Sequence, residues 1–308
     1  MFSLVVVDYK SLGKSIDFVE KFLSQVKDRD IISPIVVDNS PKTQTDEFVK
    51  SGYVICGKVN VNERQVELYQ KDYYKIAYCF AGENMGYAKG NNLGTIISDE
   101  IFDNPYYVIS NNDINLPELL DTDVFVSIFE KFPDVAVIGP KVIGKDGKPQ
   151  SPHKRVSAFT RLIAYYWLCR WPFRWKPDYD FDDKSKICYR VMGSFMIIKR
   201  DPFIRVSRFD PNTFMFAEEP ILSERLHKFG YKTFYYNDWM VIHEHGASVS
   251  KVSSQLISEQ WAFDSCLYYF EKYRNTGKVL VWLSKVNFFI YKVRLRLRLC
   301  VKKWIKRI

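Results

Sequence analysis

Two apolar runs, Leu4-Val5-Val6-Val7-Asp8 and Pro34-Ile35-Val36-Val37-Asp38, flank a segment in which Ile16, Val19, Phe22, Leu23 and Val26 recur at helical spacing. Strand, helix and strand within roughly 40 residues is a βαβ unit, whose strands lie parallel and whose connection is right-handed. Asp8 and Asp38 then fall at the same end of neighbouring strands. In open α/β sheets that carboxyl end is where ligands bind, so the ends of the later strands are the places to search for a site.

A third run, Tyr106-Tyr107-Val108-Ile109-Ser110, is cut off by Asn111-Asn112-Asp113 and then by Pro117. A carboxylate flanked by amides at such a tip suits a hard divalent cation, although Asn and Asp also end strands simply because they tolerate turn geometry. Upstream, Asn84-Met85-Gly86-Tyr87-Ala88-Lys89-Gly90-Asn91-Asn92-Leu93-Gly94 leads into the helical pattern Leu93, Ile96, Ile97, Ile101. Glycines at a helix start permit close backbone approach to a ligand, and free N–H groups there favour a phosphate. A tight turn with close helix packing accounts for them equally well. Residues 47–80 are less legible, with strand-like pieces at 65–69 and 75–80 separated by a Lys-Asp turn.

Beyond the tip, residues 117–132 read as a helix with Pro117 at its start, and Val135-Ala136-Val137-Ile138 as a strand. Residues 139–146 fit the spacing of a P-loop up to the last position, where Asp146 stands in place of Ser or Thr. Gly147 and Pro149 also prevent the helix that must follow, so a P-loop NTPase is set aside. Residues 150–190 carry Tyr165, Tyr166, Trp167, Trp171, Phe173, Trp175 and Tyr179 among Arg, Lys and Pro. Such a patch suits a membrane interface, a sugar ring or, most simply, an aromatic minor core.

Residues 191–198 read as a strand in which Gly193 permits close approach to the backbone. Glu218-Glu219-Pro220 precedes a helix expected over 221–229; the pair is either an ordinary charged first turn or a general base held near Asp113 by the sheet. After a strand at 232–236, His243-Glu244-His245 places an imidazole where it can serve a metal or the structure, and the absence of His-Glu-x-x-His leaves a zincin unsupported.

Of 308 residues, 45 are Lys or Arg and 36 Asp or Glu, yet residues 285–308 hold nine basic residues and no acidic one. The body is therefore neutral and the excess of +9 sits in the tail. In that tail Trp282, Val286, Phe289, Val293, Leu297, Cys300, Trp304 and Ile308 recur at steps of three and four, a helical face that explains more positions than the strand-like alternation of 293–299. A basic amphipathic helix of this kind lies in an anionic lipid surface or docks on the body; nucleic acid is a weaker third partner. The six cysteines form no Cys-x-x-Cys pair, which argues against a zinc ribbon or disulfide scaffold and for a reducing compartment. Asp8 stops the first apolar run short of a signal-peptide core, and no stretch reaches the roughly 18 uncharged residues of a spanning helix, so a cytosolic protein is expected.

Taken in order, Val36-Val37-Asp38-Asn39-Ser40, the Asn84 to Gly94 segment, Asn111-Asn112-Asp113, Gly193-Ser194-Phe195, Glu218-Glu219 with Leu222-x-x-Arg225, and His243 before Gly246-x-Ser248 resemble the family 2 glycosyltransferases of the GT-A fold. The likeness is in particular to the bacterial rhamnosyltransferase-like branch that builds surface polysaccharides. It implies a Rossmann-like mixed α/β sheet flanked by helices over 1–250, with a nucleotide-binding half (1–115) and an acceptor half (116–250), and a basic helical extension at 251–308. It also implies that Asp38 holds the base or ribose, that Asp8 borders that pocket, and that Asn84, Gly86, Asn91 and Asn112 contact the nucleotide. Asp113 stands at the last position of the Asp-x-Asp motif and binds Mg²⁺ or Mn²⁺, with His243 as a further ligand; Asn111 replaces the usual first Asp.

The implied activity is inverting transfer of a sugar from a nucleotide-sugar to a hydroxyl of a glycan or lipid-linked acceptor, at the cytosolic face of the cell membrane and without nucleic acid. Glu219 is the expected base, with Glu218 positioning it or the acceptor; Glu stands where Asp is commoner. A catalytically silent sugar-nucleotide-binding assembly subunit is the alternative. A nucleotidyltransferase lacks support, because no Gly-rich loop with a basic residue directly follows the first strand. Donor sugar, linkage and oligomeric state are not encoded in these motifs.

Overall fold

The computed structural model describes residues 1–168, 179–180, 183–244 and 252–305, so Trp171, Phe173, Trp175, His245, Gly246, Ser248 and Ile308 lie outside the described residues. Strand β1 (Phe2–Asp8), helix α1 (Leu12–Ser24) and strand β2 (Ile32–Asp38) form the expected unit, with β1 and β2 parallel and Asp8 opposite Asp38. A short helix α2 (Asp46–Lys50) leads to an antiparallel meander of β3 (Val54–Val61), β4 (Arg64–Lys71) and β5 (Tyr74–Phe80), whose last strand joins β2 in parallel. The β3–β4 turn explains why this region was hard to read. Asn62 and Glu63 both have positive φ, 46° and 63°, and Glu63 occupies a position where Gly is the usual signal.

Helix α3 (Gly86–Ile101) crosses back to β6 (Tyr106–Ser110), and a two-residue strand β7 (Ile114–Asn115) follows the tip. Helix α4 (Thr122–Lys131) starts later than Pro117, because the Asp121 side chain accepts the Asp123 N–H and caps it there. Strand β8 (Val135–Gly144) takes in the first part of the P-loop look-alike, and Gly147 lies in the turn that brings the Gln150 N–H onto the Val142 carbonyl. A π-helical turn, Phe159–Ala164, continues into α5 (Tyr165–Leu168). Strands β9 (Lys186–Cys188) and β10 (Phe195–Lys199) follow, the second starting later than expected, then α6 (Arg200–Arg205) and α7 (Glu218–Lys228), which opens on Glu218 itself. One long strand, β11 (Lys232–His243), replaces the shorter one expected at 232–236, and α8 (Val252–Lys272) and α9 (Lys278–Ile305) close the chain.

The strands form a single mixed sheet in the order β3-β4-β5-β2-β1-β6-β10-β8-β11-β7, with β9 on β11. Strand β10 runs antiparallel to both β6 and β8. Because side chains alternate along a strand, β1 sends Leu4 and Val6 into one core with α1 and α4, and Val5 into the other with α3, α6 and α7. Helix α3 lies close on that second face: a Cβ at Gly94 would come within 2.3 Å of Val5 Cγ1.

A third core joins the π-helical turn and α5 to α8 and α9, through Leu162, Tyr166, Phe263, Phe288 and Tyr291, together with Ala217 and Ile221 of α7 and its approach. Tyr165 and Tyr166 thus serve an aromatic minor core, whereas Trp167 is exposed. The tail is helical, but the face singled out in the sequence is not the docked one. Val281, Ser284, Phe288, Tyr291 and Leu295 are buried against the body, while Trp282, Val286, Phe289, Val293 and Leu297 are exposed. Helix α9 is apolar on two sides, one docked on the body and one exposed.

Candidate functional site

The site is assembled by the shortest strand. Pairing of β7 with β11 sets His243 opposite Ile114, and the Glu244 N–H donates to the Asp113 carbonyl at 2.9 Å, fastening the Asn-Asn-Asp tip to the end of β11. His243 Nε2 lies 3.3 Å from Asp113 Oδ1. Behind the ring, His243 Nδ1 is 2.9 Å from Gln150 Oε1, an acceptor delivered by the hairpin that ends β8. With Nδ1 held by Gln150, the ring turns Nε2 toward the carboxylate.

A divalent metal fits this donor set. One carboxylate oxygen and one imidazole nitrogen would be suitable ligands for Mn²⁺ or Mg²⁺, and the other positions would fall to water or substrate oxygens, since no cluster of three or more His, Cys, Asp or Glu side chains is assembled among the described residues. The neighbouring amides have other tasks. Asn111 donates its backbone N–H to Ser194 O at 3.0 Å. Asn112 turns inward, its Nδ2 reaching Ser15 Oγ at 2.8 Å and Ser11 Oγ at 3.2 Å, and so ties the tip to α1.

At the carboxyl ends of β1 and β2 opens a cleft of about 470 Å³, lined by Tyr9, Lys10, Ser11, Lys14, Gln44 and Glu47 among others. Asp8 and Asp38 form part of its support. Both are fully buried; Asp8 accepts from Ser11 and Ser15, and Asp38 from the Ser40 N–H and the Tyr78 hydroxyl. Burial raises the Asp8 carboxyl above its ordinary value, against the pull of its two serine partners. The cations Lys10 and Lys14 were missed in the sequence. No Gly-rich loop advertises them, because Gly13 and Lys14 already belong to the first turn of α1.

The Asn84 to Gly94 segment resolves toward turn and packing. The Asn84 side chain accepts the Gly86 N–H at 3.1 Å, and the Tyr87 N–H is taken by Phe214 O at 2.9 Å. Asn91, almost fully buried, donates to Tyr87 O within the helix. Gly86 has φ of 78°, and a Cβ there would meet Phe214 O at 2.1 Å. These N–H groups are therefore not free for a phosphate, and the close backbone neighbour is the loop before α7.

That loop carries the carboxylate pair. Phe216 and Ala217 both adopt left-handed conformations, with φ of 73° and 66°, costing roughly 1–3 kcal/mol each and turning the chain sharply into α7. Glu219 Oε1 accepts the Gly193 N–H at 2.9 Å, while the Tyr87 hydroxyl donates to Gly193 O at 2.5 Å. A Cβ at Gly193 would lie 2.6 Å from Glu219 Oε1, so a side chain there would displace this carboxylate. Ser194, the next residue, holds Asn111, so the pair and the Asp113 tip share one end of the β6–β10 pairing. Glu218 is buried, which with the adjacent Glu219 charge pushes its carboxyl up to about 8. Glu219 is only partly buried.

A mixed sheet between helices, with a cleft at the ends of β1 and β2 and polar residues at the end of β6, is the GT-A fold. The crystal structure of GalNAc-T7 with UDP, GalNAc and Mn²⁺ is similar over 88% of this chain, at TM-score 0.54 and 12% identity; this chain spans about half its length (49%). The mannosyltransferase PcManGT from Pyrobaculum calidifontis, in complex with GDP-Man and Mn²⁺, is similar over the whole chain (100%) and 80% of its own, at TM-score 0.53 and 12% identity. No family model matches the sequence, and no curated protein does.

Proposed function

We propose that this chain is an inverting, metal-dependent glycosyltransferase that moves a sugar from a nucleotide-sugar to a hydroxyl of a glycan or lipid-linked acceptor, as in the rhamnosyltransferase-like branch that builds bacterial surface polysaccharides. The observation that carries this reading is the facing of Asp113 and His243 across 3.3 Å at the end of the sheet. GalNAc-T7 and PcManGT, which share the fold, hold UDP or GDP-Man together with Mn²⁺. Asp113 and His243 would hold Mn²⁺ or Mg²⁺, which would supply positive charge against the negative charge that a departing diphosphate gains.

The chain's own residues supply the rest. The cleft beside Tyr9, Lys10 and Lys14 offers an aromatic face and two cations to a nucleoside diphosphate. Glu219 is the base that takes the acceptor hydroxyl's proton: the Gly193 N–H fixes one of its oxygens and its partial exposure leaves it open to an acceptor. Glu218 stays protonated at neutral pH, which spares the site a second negative charge beside Glu219.

Two measurements test this. Calorimetric titration with UDP-, dTDP- and GDP-sugars, with and without Mn²⁺, should reveal metal-dependent binding of one nucleotide class that Asp113→Ala removes. Glu219→Gln, whose amide oxygen still accepts from Gly193, should lower turnover by about 10²–10⁴-fold with nucleotide binding retained. Normal turnover of that variant sinks the base assignment, and wild-type binding without transfer to any acceptor points to a silent sugar-nucleotide-binding subunit.

A further inference from the structure

Helix α9 is docked by one face and bare on the other. Its buried side is polar and apolar by turns, with Ser284 donating to Leu280 O and Asn287 to the carbonyls of Leu162 and Ile163, as a helix seated on a protein surface requires. The opposite side carries Trp282, Phe289 and Leu297, exposed by 63%, 64% and 62%, with Val286 and Val293 between them. At 100° per residue these five fall on one continuous stripe.

What borders the stripe identifies its occupant. Lys285 and Arg296 lie along one edge and Arg294 beyond the other, and no acidic residue follows Glu271. Trp167 of α5, 55% exposed, lies beside the same helix with the Arg294 guanidinium 5.3 Å from its ring centre, adding an indole from the body. A second copy of this helix would bring like charges together along both edges. An anionic bilayer surface instead takes the apolar stripe into its acyl boundary and sets the flanking cations against its phosphates. The helix does not cross: among the described residues none is long and apolar enough to do so.

We infer that the exposed stripe of α9, with Trp167, is a seat for an anionic phospholipid surface, holding the chain peripherally on the membrane. Since Phe288 and Tyr291 share a core with Ala217 and Ile221, the membrane-seated helix is tied to the helix that carries Glu218 and Glu219. Resting on the transfer proposed above, this presents the base to an acceptor anchored in the same bilayer.

The test uses the full chain and vesicles of phosphatidylcholine with and without phosphatidylglycerol, read by co-sedimentation and by tryptophan emission. The wild type should sediment with the anionic vesicles, shift its emission to the blue, and be released by high salt. Trp282→Ser/Phe289→Ser/Val293→Ser replaces only exposed side chains, so its melting temperature should hold while partitioning falls at least about tenfold. Lys285→Ser/Arg296→Ser should weaken binding to anionic vesicles and lessen its salt dependence. The inference is overturned if the wild type stays in the supernatant, if the triple variant partitions like the wild type, or if the chain is a dimer that the triple variant dissolves while vesicles are ignored. Nucleotide-sugar binding, measured without lipid, is unaffected by any of these outcomes, so failure here is distinct from failure of the transferase reading.

Discussion

The Asn84 to Gly94 segment and the Asp113–His243 pair both stand out in the sequence as candidate ligand contacts, and the structure builds them differently. In the first, donors and acceptors are consumed internally: Gly86 N–H on Asn84, Tyr87 N–H on Phe214, Asn91 on Tyr87, and the Asn39 amide on Gly86 O. In the second, an imidazole nitrogen and a carboxylate oxygen face each other, with Gln150 holding the ring from behind. Residue type marks both places as polar and tightly built. Only their partners separate them: the first is closed on itself, and the second is where the proposed cation would bind.

Substitutions can break this contrast. Gly86→Ala combines a positive φ with a Cβ at 2.1 Å from a backbone oxygen, and should cost about 4 kcal/mol or more in denaturant unfolding. If that variant is stable but has lost nucleotide binding, the segment is a ligand loop after all. Asp113→Asn should behave in the reverse way, changing stability by about 0.5 kcal/mol or less while abolishing Mn²⁺-dependent nucleotide-sugar binding. Gln150→Ala tests the support behind the ring: metal affinity should fall by about 10–100-fold, and an unchanged affinity would show that His243 does not bind through Nε2.

The carboxylate pair sharpens the comparison through pH. A group whose folded value is raised contributes stability that is present below its unfolded value and is lost as pH climbs to the folded one. Glu218, raised from 4.5 to about 8, therefore weakens the fold progressively across that interval. Glu218→Gln stays neutral, so it should match the wild type near pH 4.5 and melt higher than it at pH 8. Parallel melting curves for the two proteins across that range would mean the carboxyl ionises normally. The smallest effect is expected from Lys14→Ala, at an exposed position on the cleft rim: a loss of a few-fold in nucleotide-sugar affinity, about 0.5–1 kcal/mol, that high salt erases.

Much of this was legible in the chain, and for local reasons. Runs such as Leu4 to Asp8 and Tyr106 to Ser110 announce buried strands by composition alone, and chirality then sets the hand of their connection. Asp113, His243, Glu218 and Glu219 could be marked because a charged or imidazole side chain at the end of a strand or the start of a helix is conspicuous. The meander over 54–80 was partly hidden, because Asn62 and Glu63 make a tight turn without the glycine that advertises one. Gln150 left no trace at all, since a lone Gln after a hairpin has meaning only once β8 and β11 lie side by side.

The tail shows where the boundary between the two kinds of information falls. Periodicity from Trp282 to Ile308 predicts a helix with an apolar stripe through Trp282, Phe289 and Leu297, because side-chain spacing along a helix is a local property, and the structure places that helix at Lys278–Ile305. Which stripe meets the body was decided by the tertiary structure, since Val281, Phe288, Tyr291 and Leu295 match the shape offered by Leu162, Tyr166 and Phe263. The same holds for the site. The sequence determined by itself which groups are able to bind a cation or take a proton, because that is the chemistry of single side chains. Only the pairing of β7 with β11, and of β6 with β10, decided which of them meet, because those pairings join residues more than a hundred positions apart in some cases, and no local pattern encodes such a distance.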